Sequence, residues 1–371
     1  MTTPPATDPI VTAEGFADYL GQARGCTDAT VANVRRIVGG ASRVTYALDA
    51  TWSEEGELTE AGLIVRLDPP ASLLDSNRTH EYAAYRGMYG SDVPVPEPLW
   101  IEDDESWFGG AFFVMRRIDG CETSPQRLFA PPLDAVGERI GVELFEIAGR
   151  IAAIDSTEGA WDFLDTVAPE RCWQRELDHW SEVIERHRSD AQPIVRAAID
   201  WLRRHPPPEA RRISVVHGDY RNGNVLVDPT GEIRGVLDWE MCHLGDPIED
   251  LAWTCMPNWR WGRPDRYGGF LPPPEAFAIW ERASGLEVNR DAFHWWSVFA
   301  HVKAQGIWLT GAHNFARGAA GAINLPGIAL RLSPIEERGL ISLLGWDADA
   351  ASEEPAPTRA GTATPTGEAG A

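Results

Sequence analysis

Between His217 and Glu240 the sequence reads HGDYRNGNVLVDPTGEIRGVLDWE. A polar loop, HGDYRNGN, runs into two short apolar stretches, NVLV and IRGVLDW, which a PTG turn separates. Two apolar runs joined by such a turn predict a β-hairpin, and antiparallel strands return the chain to where it started. Asp238, at the far end, is thereby brought opposite Asp219 and Asn224 at the near end. This local pairing commits three polar side chains to one spot, and the rest of the fold has to be built around it.

On the N-terminal side of the hairpin the chain changes character. Thr12 to Leu20 has the spacing of a short helix, after which VANVRRIV, GGAS and RVTYALDATW read as strand, Gly-rich turn and strand. A turn at Glu54 to Glu57 leads into the strand GLIVRL, Leu73 to Tyr89 has helical spacing, and VPVPEPLWI and AFFVMRRI are further extended segments. From Pro131 apolar residues recur at three- and four-residue intervals, predicting helices over LDAVGERIGVELFEIAGRIAAI, WQRELDHWSEVIERH and PIVRAAIDWLRRH. After the hairpin helical patterns resume at Asp246 to Trp253, Pro274 to Ala283, Ala292 to Leu309 and Pro334 to Leu344. The expected fold class is α+β: a small sheet lobe over 1–118, a larger helical lobe over 119–346, and a disordered tail over 347–371, low in apolar residues and rich in Ala, Pro, Gly and Thr.

Composition removes several function classes. With 371 residues the chain is long enough for two lobes with a cleft between them. A net charge of -23 argues against DNA or RNA as a partner. The only lysine is Lys303, so any cation that meets a phosphate in the first half of the chain is an arginine. Cys26, Cys121, Cys172, Cys242 and Cys255 are scattered and form no CxxC pair, which suits a reduced compartment; Cys242, His243 and Cys255 match no usual zinc spacing. The N-terminus has neither a basic start nor an apolar run, and no stretch reaches the roughly 18 apolar residues of a membrane span, so a cytoplasmic chain without a membrane partner is expected.

The three polar residues of the hairpin suit phosphoryl transfer. That reaction asks a protein to hold phosphates and magnesium, to place an acceptor hydroxyl in line and to take its proton. Asp219 is the candidate base, Asn224 a neutral oxygen ligand for Mg2+, and Asp238 the main metal ligand, since a hard cation prefers carboxylate oxygen. Glu240 is a supporting carboxylate nearby. Each of the three alone has an ordinary explanation as a loop-forming or strand-capping residue; their joint spacing does not.

HGDxxxxN, a hydrophobic hairpin, DWE and then GDPxxDLA together resemble the aminoglycoside phosphotransferase and choline kinase-like superfamily. The matches are His217, Gly218, Asp219 and Asn224, then Asp238 to Glu240, Gly245 to Pro247 and Asp250 to Ala252. The DWE and GDPxxDLA pattern is closer to the kinase-like domains related to those fused to acyl-CoA dehydrogenases than to the antibiotic-modifying enzymes. The resemblance spans about residues 30 to 345 and implies a bilobal protein-kinase-like fold with ATP and Mg2+ in the cleft.

It also implies roles elsewhere. Gly39, Gly40 and Ser42 sit where the family has a Gly-rich hairpin over the nucleotide phosphates. Arg66, in LIVRL, takes the place of the phosphate-binding lysine, and Glu81 that of its partner on the following helix. VMRRIDG resembles the interlobe hinge, with Met115 lining the adenine pocket and the backbone of Arg117 and Ile118 bonding the adenine edge. His217 holds the loop and Asp250 braces it. The acceptor is expected near the segment 255–270, where Trp259, Arg260 and Arg263 are candidates for an anionic or acyl-phosphate-bearing substrate. Trp295, Trp296 and Trp308 offer an aromatic cage for a quaternary amine, or simply core.

The expected activity is transfer of the γ-phosphate of ATP to a hydroxyl of a small molecule, a hydroxyacyl thioester or another hydroxylated metabolite ahead of an aminoglycoside or macrolide. A pseudokinase that binds nucleotide and regulates a partner is the rival of another class, and joint retention of Asp219, Asn224 and Asp238 argues against it. Oligomeric state leaves no mark in the sequence.

Overall fold

A computed structural model describes residues 10–37, 43–68, 77–157, 159–188, 190–317 and 324–347. Gly39, Gly40 and Ser42 lie outside them, as do the start of the helix expected from Leu73 and the segment 348–371.

The N-terminal half is an antiparallel sheet of five strands in the order β1-β2-β3-β5-β4: β1 (Thr27–Ile37), β2 (Val44–Glu54), β3 (Glu57–Leu67), β4 (Pro98–Glu102) and β5 (Phe112–Arg116). β2 and β3 join through Glu55 and Gly56, both at positive φ, which is the backbone of a tight two-residue hairpin. β1 begins four residues before the expected strand. Asp28 and Asn33 are at positive φ beside its two register shifts, and these bulges break the alternation that would have revealed it.

Strand alternation gives the sheet two faces. Leu48, Trp52, Leu63, Val65, Phe112 and Val114 pack with Phe16, Tyr19 and Leu20 of α1 (Ala13–Gln22) in one core. Ile64 and Arg66 point the other way, opposite Met115 and Phe113 of β5. That face meets α2 (Arg78–Met88), whose Tyr82, Ala84, Tyr85 and Met88 share a second core with the helical half. Arg66 is thus turned toward the helices by the pleat.

The second half contains α3 (Pro125–Leu128), α4 (Gly137–Ala152), α5 (Cys172–His187), α6 (Pro193–Arg204), α7 (Ile248–Thr254), α8 (Pro273–Ser284), α9 (Arg290–Ala316) and α10 (Asn324–Leu343). No described helix is long and apolar enough to cross a membrane. α9 runs seven residues beyond the Leu309 expected as its end, and α10 begins before Pro334, which lies inside it. Packing of α10 along α9 extends both elements past what local sequence marks.

Two small ribbons stand among these helices. β6 (Ser214–Val216) pairs with β9 (His243–Gly245), and β7 (Val225–Val227) pairs with β8 (Ile233–Val236), both antiparallel. The second is the hairpin expected from the sequence. The loop 217–224 therefore leaves one ribbon and enters the other, and so does the segment 237–242 in reverse.

α4 and α8 cross at Gly149, where a Cβ would lie 2.5 Å from Ala283 Cβ and 2.9 Å from the Trp280 carbonyl oxygen. Alanine is the better helix former by about 1 kcal/mol, yet Gly149→Ala is expected to destabilise by about 1–3 kcal/mol through overpacking. Gly21→Ala in α1, where the nearest atom is Cys26 O at 3.9 Å, is expected to be stabilising by up to about 1 kcal/mol. Urea unfolding of both variants checks the contrast.

Candidate active site

The loop after β6 is held from below by one carboxylate. The N–H groups of His217 and Gly218 donate to Asp250 Oδ2 and Oδ1 at 2.6 and 3.0 Å. Asp250 lies in the first turn of α7 and is buried, and burial pushes its carboxyl up even though His217 and these N–H groups counter it. Gly218 has φ 83°, and a Cβ there would lie 2.5 Å from Met241 O, so only glycine permits the approach of the two loops. His217 Nδ1 accepts from Asp219 N–H at 3.1 Å, and Nε2 lies 2.8 Å from Leu237 O. That pairing puts the ring proton on Nε2. His217 ties the loop to the end of β8, and its lone pair is already used.

Asp219 is held from three directions. Its Oδ1 accepts from Trp253 Nε1 at 2.8 Å and from Arg221 Nε at 3.1 Å. Its Oδ2 accepts from Asn224 Nδ2 at 2.7 Å, and the same amide reaches Asp219 O at 2.8 Å. Asn222 donates to Trp259 O and Gly268 O, which fastens the loop to the segment 255–270. Leu237 N–H donates to Asn224 O at 2.8 Å. Asp238, one residue further, sits in the left-handed region at φ 63°.

Asp238 N–H donates to Tyr85 Oη of α2 at 3.0 Å, and its Oδ1 accepts from Arg66 Nη1 at 2.6 Å. Burial, the largest single influence, would raise its carboxyl, but the charge and hydrogen bond of Arg66 together with the charges of Arg221 and His217 outweigh it and hold the carboxyl below the usual range. Arg66 Nη2 lies 3.1 Å from Glu81 Oε1, and Glu81 Oε2 takes Arg43 Nε at 2.6 Å. Arg43 also pairs with Asp68, which is shared with Arg78. Burial opposes the Arg66 charge, yet Glu81 and Asp238 overcome it and keep the guanidinium firmly protonated. The structure thus joins Arg66, Glu81 and Asp238, as the sequence suggested, and adds Arg43 and Tyr85, which no local pattern marks.

Asn224 and Asp238 fit a hard cation. Each has one polar atom committed, the Asn224 amide nitrogen to Asp219 and Asp238 Oδ1 to Arg66; Asn224 Oδ1 and Asp238 Oδ2 accept no hydrogen bond from the described residues. Two oxygens from adjacent loops, one carboxylate and one amide, suit Mg2+, which takes few protein ligands and keeps water.

The hinge differs from expectation in one respect. Met115 is buried in β5, as a pocket-lining residue requires, but Arg117 N–H already donates to Gly62 O at 2.8 Å because sheet pairing runs one residue past β5. It is therefore not a donor to a base. The Arg117 side chain reaches Asp49, Asp119 and Leu48 O. Ile118 packs over β8, where a Cβ on Gly235 would lie 3.0 Å from Ile118 Cδ1.

The acceptor candidates are corrected more strongly. Arg260 donates to Cys255 O at 3.1 and 2.8 Å and to Pro264 O at 2.8 Å, and stacks on Tyr267. Arg263 donates to Gly269 O at 3.3 Å and lies over Phe129. An irregular loop leaves carbonyls without ladder partners, and these guanidinium groups satisfy them. Trp259 is buried between Arg221 and Trp253. The aromatic cage does not form: Trp295, Trp296 and Trp308 donate separately to Leu202 O, Asp246 and Glu336.

Instead, a cavity of about 500 Å³ opens between α5, the segment Glu240 to His243 and Lys303 of α9. At its floor His243 lies 3.2 Å from Glu249 and 3.6 Å from Glu176, and Lys303 Nζ lies 2.8 Å from Glu249. Glu176, His243 and Glu249 could surround a metal ion, but Lys303 and Arg175 already neutralise the two glutamates. Cys242 and Cys255 are free thiols outside that group.

A model of the phosphotransferase enzyme family matches residues 33–295. Acyl-CoA dehydrogenase family member 11 from Gallus gallus is 25% identical over 325 residues, covering 83% of this chain and 40% of that protein. The chain spans 40% or less of the length of the first curated relatives it matches. Among solved structures, a Ralstonia eutropha protein described as a candidate aminoglycoside phosphotransferase superposes with a TM-score of 0.70 at 22% identity, covering 90% of this chain and 98% of that one. A ternary complex of aminoglycoside phosphotransferase APH(4)-Ia with AMP-PNP and hygromycin B gives 0.57 at 16% identity, covering 90% and 98%. At these identities the two structures show the fold.

Burial opposes the charge of His243, but Glu176 and Glu249 overcome it and lift the imidazole to about 9. A folded-state value above the unfolded one, roughly 6.5, means that His243 stabilises fully below that pH and loses its contribution as pH rises through about 9. His243→Gln is expected to flatten the fall in stability between these limits, by an amount on the order of 3 kcal/mol. Urea unfolding across the range measures it.

Proposed function

The chain belongs to the phosphotransferase enzyme family, and on that premise we propose that it transfers the γ-phosphate of Mg·ATP to a hydroxyl group of a small molecule. The observation that carries the proposal is the meeting of Asp219, Asn224 and Asp238 from two adjoining loops, with the Arg66 guanidinium across from them. Asp219 takes the proton of the acceptor hydroxyl as its oxygen bonds to the γ-phosphorus; the bond to the bridging β–γ oxygen breaks and ADP leaves. Asn224 Oδ1 and Asp238 Oδ2 would hold magnesium, which when bound would offset phosphate charge. Arg66 supplies a permanent cation for the phosphates, kept charged by Glu81. We place the adenine beside Met115 and Ile118, between the sheet and helical halves.

For the acceptor we propose the cavity of about 500 Å³. One wall, Glu240 to His243, continues directly from Asp238; on the other, Lys303 lies 5.2 Å from the ring of Trp253, which bonds Asp219. A hydroxyacyl thioester or another hydroxylated metabolite is favoured by the relative that matches 83% of the chain, itself named an acyl-CoA dehydrogenase family member. The names of the fold neighbours favour an antibiotic as the second reading. A pseudokinase is disfavoured by the retention of all three hairpin residues.

ADP release measured against a library of hydroxyl compounds, with and without magnesium, identifies the acceptor. Asp219→Asn is expected to lower turnover at least about a hundredfold with little change in ATP binding. Undiminished turnover in that variant would remove Asp219 as the base, and no turnover by the wild type with any hydroxyl compound would favour the pseudokinase.

A further inference from the structure

Asp219 receives a hydrogen bond that phosphoryl transfer does not by itself require. Trp253, in the last turn of α7, is fully buried, and its Nε1 donates to Asp219 Oδ1 at 2.8 Å. A buried indole N–H needs an acceptor, and the one it finds is the oxygen pair that has to face an acceptor hydroxyl. Arg221 shares Oδ1 and Asn224 holds Oδ2, so the carboxylate plane is fixed from both ends.

The indole is itself held by charge. Lys303 is the single lysine of the chain, and its buried ammonium lies 5.2 Å from the Trp253 ring centroid and 5.9 Å from that of Trp180 on α5. Glu249, four residues before Trp253 on α7, anchors the ammonium at 2.8 Å, and His243 of β9 and Glu176 of α5 complete the cluster. A cation over an indole face is attracted to the ring; it also draws electron density from the ring and strengthens the N–H as a donor. A long, adaptable ammonium stem fits between two tryptophans where a planar guanidinium would need more carbonyl or carboxylate partners.

We infer that Trp253 is a positioning residue for Asp219, and that Lys303 sets Trp253 through its π face. This rests on Asp219 being the base. Trp253 orients the carboxylate and contributes nothing to nucleotide binding, so its loss affects turnover and spares the KM for ATP.

The test has an arm that does not depend on the acceptor. In indole N–H spectra of the full chain, the resonance lost in Trp253→Phe is expected to be the one that moves most in Asp219→Asn, and to move in Lys303→Met. In the kinetic arm the probe is Mg·ATP with water as the acceptor, followed by ADP release. Replacement of Trp253 by benzothienylalanine, which keeps the ring shape and removes the N–H, is expected to lower turnover about tenfold or more with the KM for ATP within about twofold. The same replacement in Asp219→Asn is expected to have no further effect, whereas a purely structural role would multiply the two losses. Full turnover with benzothienylalanine, or an indole resonance indifferent to Asp219→Asn, overturns the inference. Full turnover in Asp219→Asn alone overturns the assignment of the base.

Discussion

Val216 pairs with His243 and Val225 with Val236, so the loop 217–224 and the segment 237–242 both start and finish at short antiparallel ribbons. A loop fixed at one end samples many conformations; two loops fixed at both ends, against each other, do not. Asp250 adds the vertical constraint by taking the His217 and Gly218 N–H groups on a single buried carboxylate. Ionised acceptors make stronger hydrogen bonds than neutral ones. His217 closes the frame by linking Asp219 N–H to Leu237 O. The proposed base and metal ligands lie on loops, but on loops with little freedom left, which is how a site outside regular structure becomes preorganised.

The second constraint is electrostatic. The chain carries a net charge of -23, yet Arg43, Arg66, Arg78 and Lys303 are all buried. Burying a cation is tolerated only with partners, and each has them: Glu81 for Arg43 and Arg66, Asp68 for Arg43 and Arg78, Glu249 for Lys303. Glu81 is the pivot, since one carboxylate on α2 spans two guanidiniums, Arg66 on β3 and Arg43 just before β2. Tyr85, one helical turn further along α2, accepts from Asp238 N–H. The position of α2 thus sets both the proposed phosphate cation and the proposed metal carboxylate, which couples the sheet half to the helical half through specific contacts.

What the sequence revealed followed the range of the interactions. Asp219, Asn224 and Asp238 were legible because a hairpin register is local. Arg66 and Glu81 were legible because strand alternation and family resemblance agree. Arg43, Tyr85 and Trp253 were not, because their partners lie on elements far away in sequence and their residue types have commoner uses as core or surface. Arg117 N–H is taken out of the backbone expected at the adenine edge by a single residue of strand pairing, Arg117 to Gly62, that no alternation pattern predicts. For Trp295 and Trp296 the difficulty was α9 itself, which is buried nearly all round, so helical spacing could not separate core from cage.

The arginines of 255–270 bear on what the acceptor can be. Five donors per guanidinium invite an anion only if they are not already used, and Arg260 spends its donors on Cys255 O and Pro264 O. The cavity floor is likewise internally paired, with Arg175, His243 and Lys303 set against Glu176 and Glu249. Arg260 is thus a poor donor to a substrate anion and the charges at the cavity floor are set against one another, so charge at these points is a weak basis for selection. Selectivity would instead rest on shape and on hydrogen bonds to groups whose own partners are fixed, since a site of this kind rejects an analogue that leaves one of its polar atoms unpaired. The placement of the acceptor hydroxyl beside Asp219 then matters more than the charge the acceptor carries.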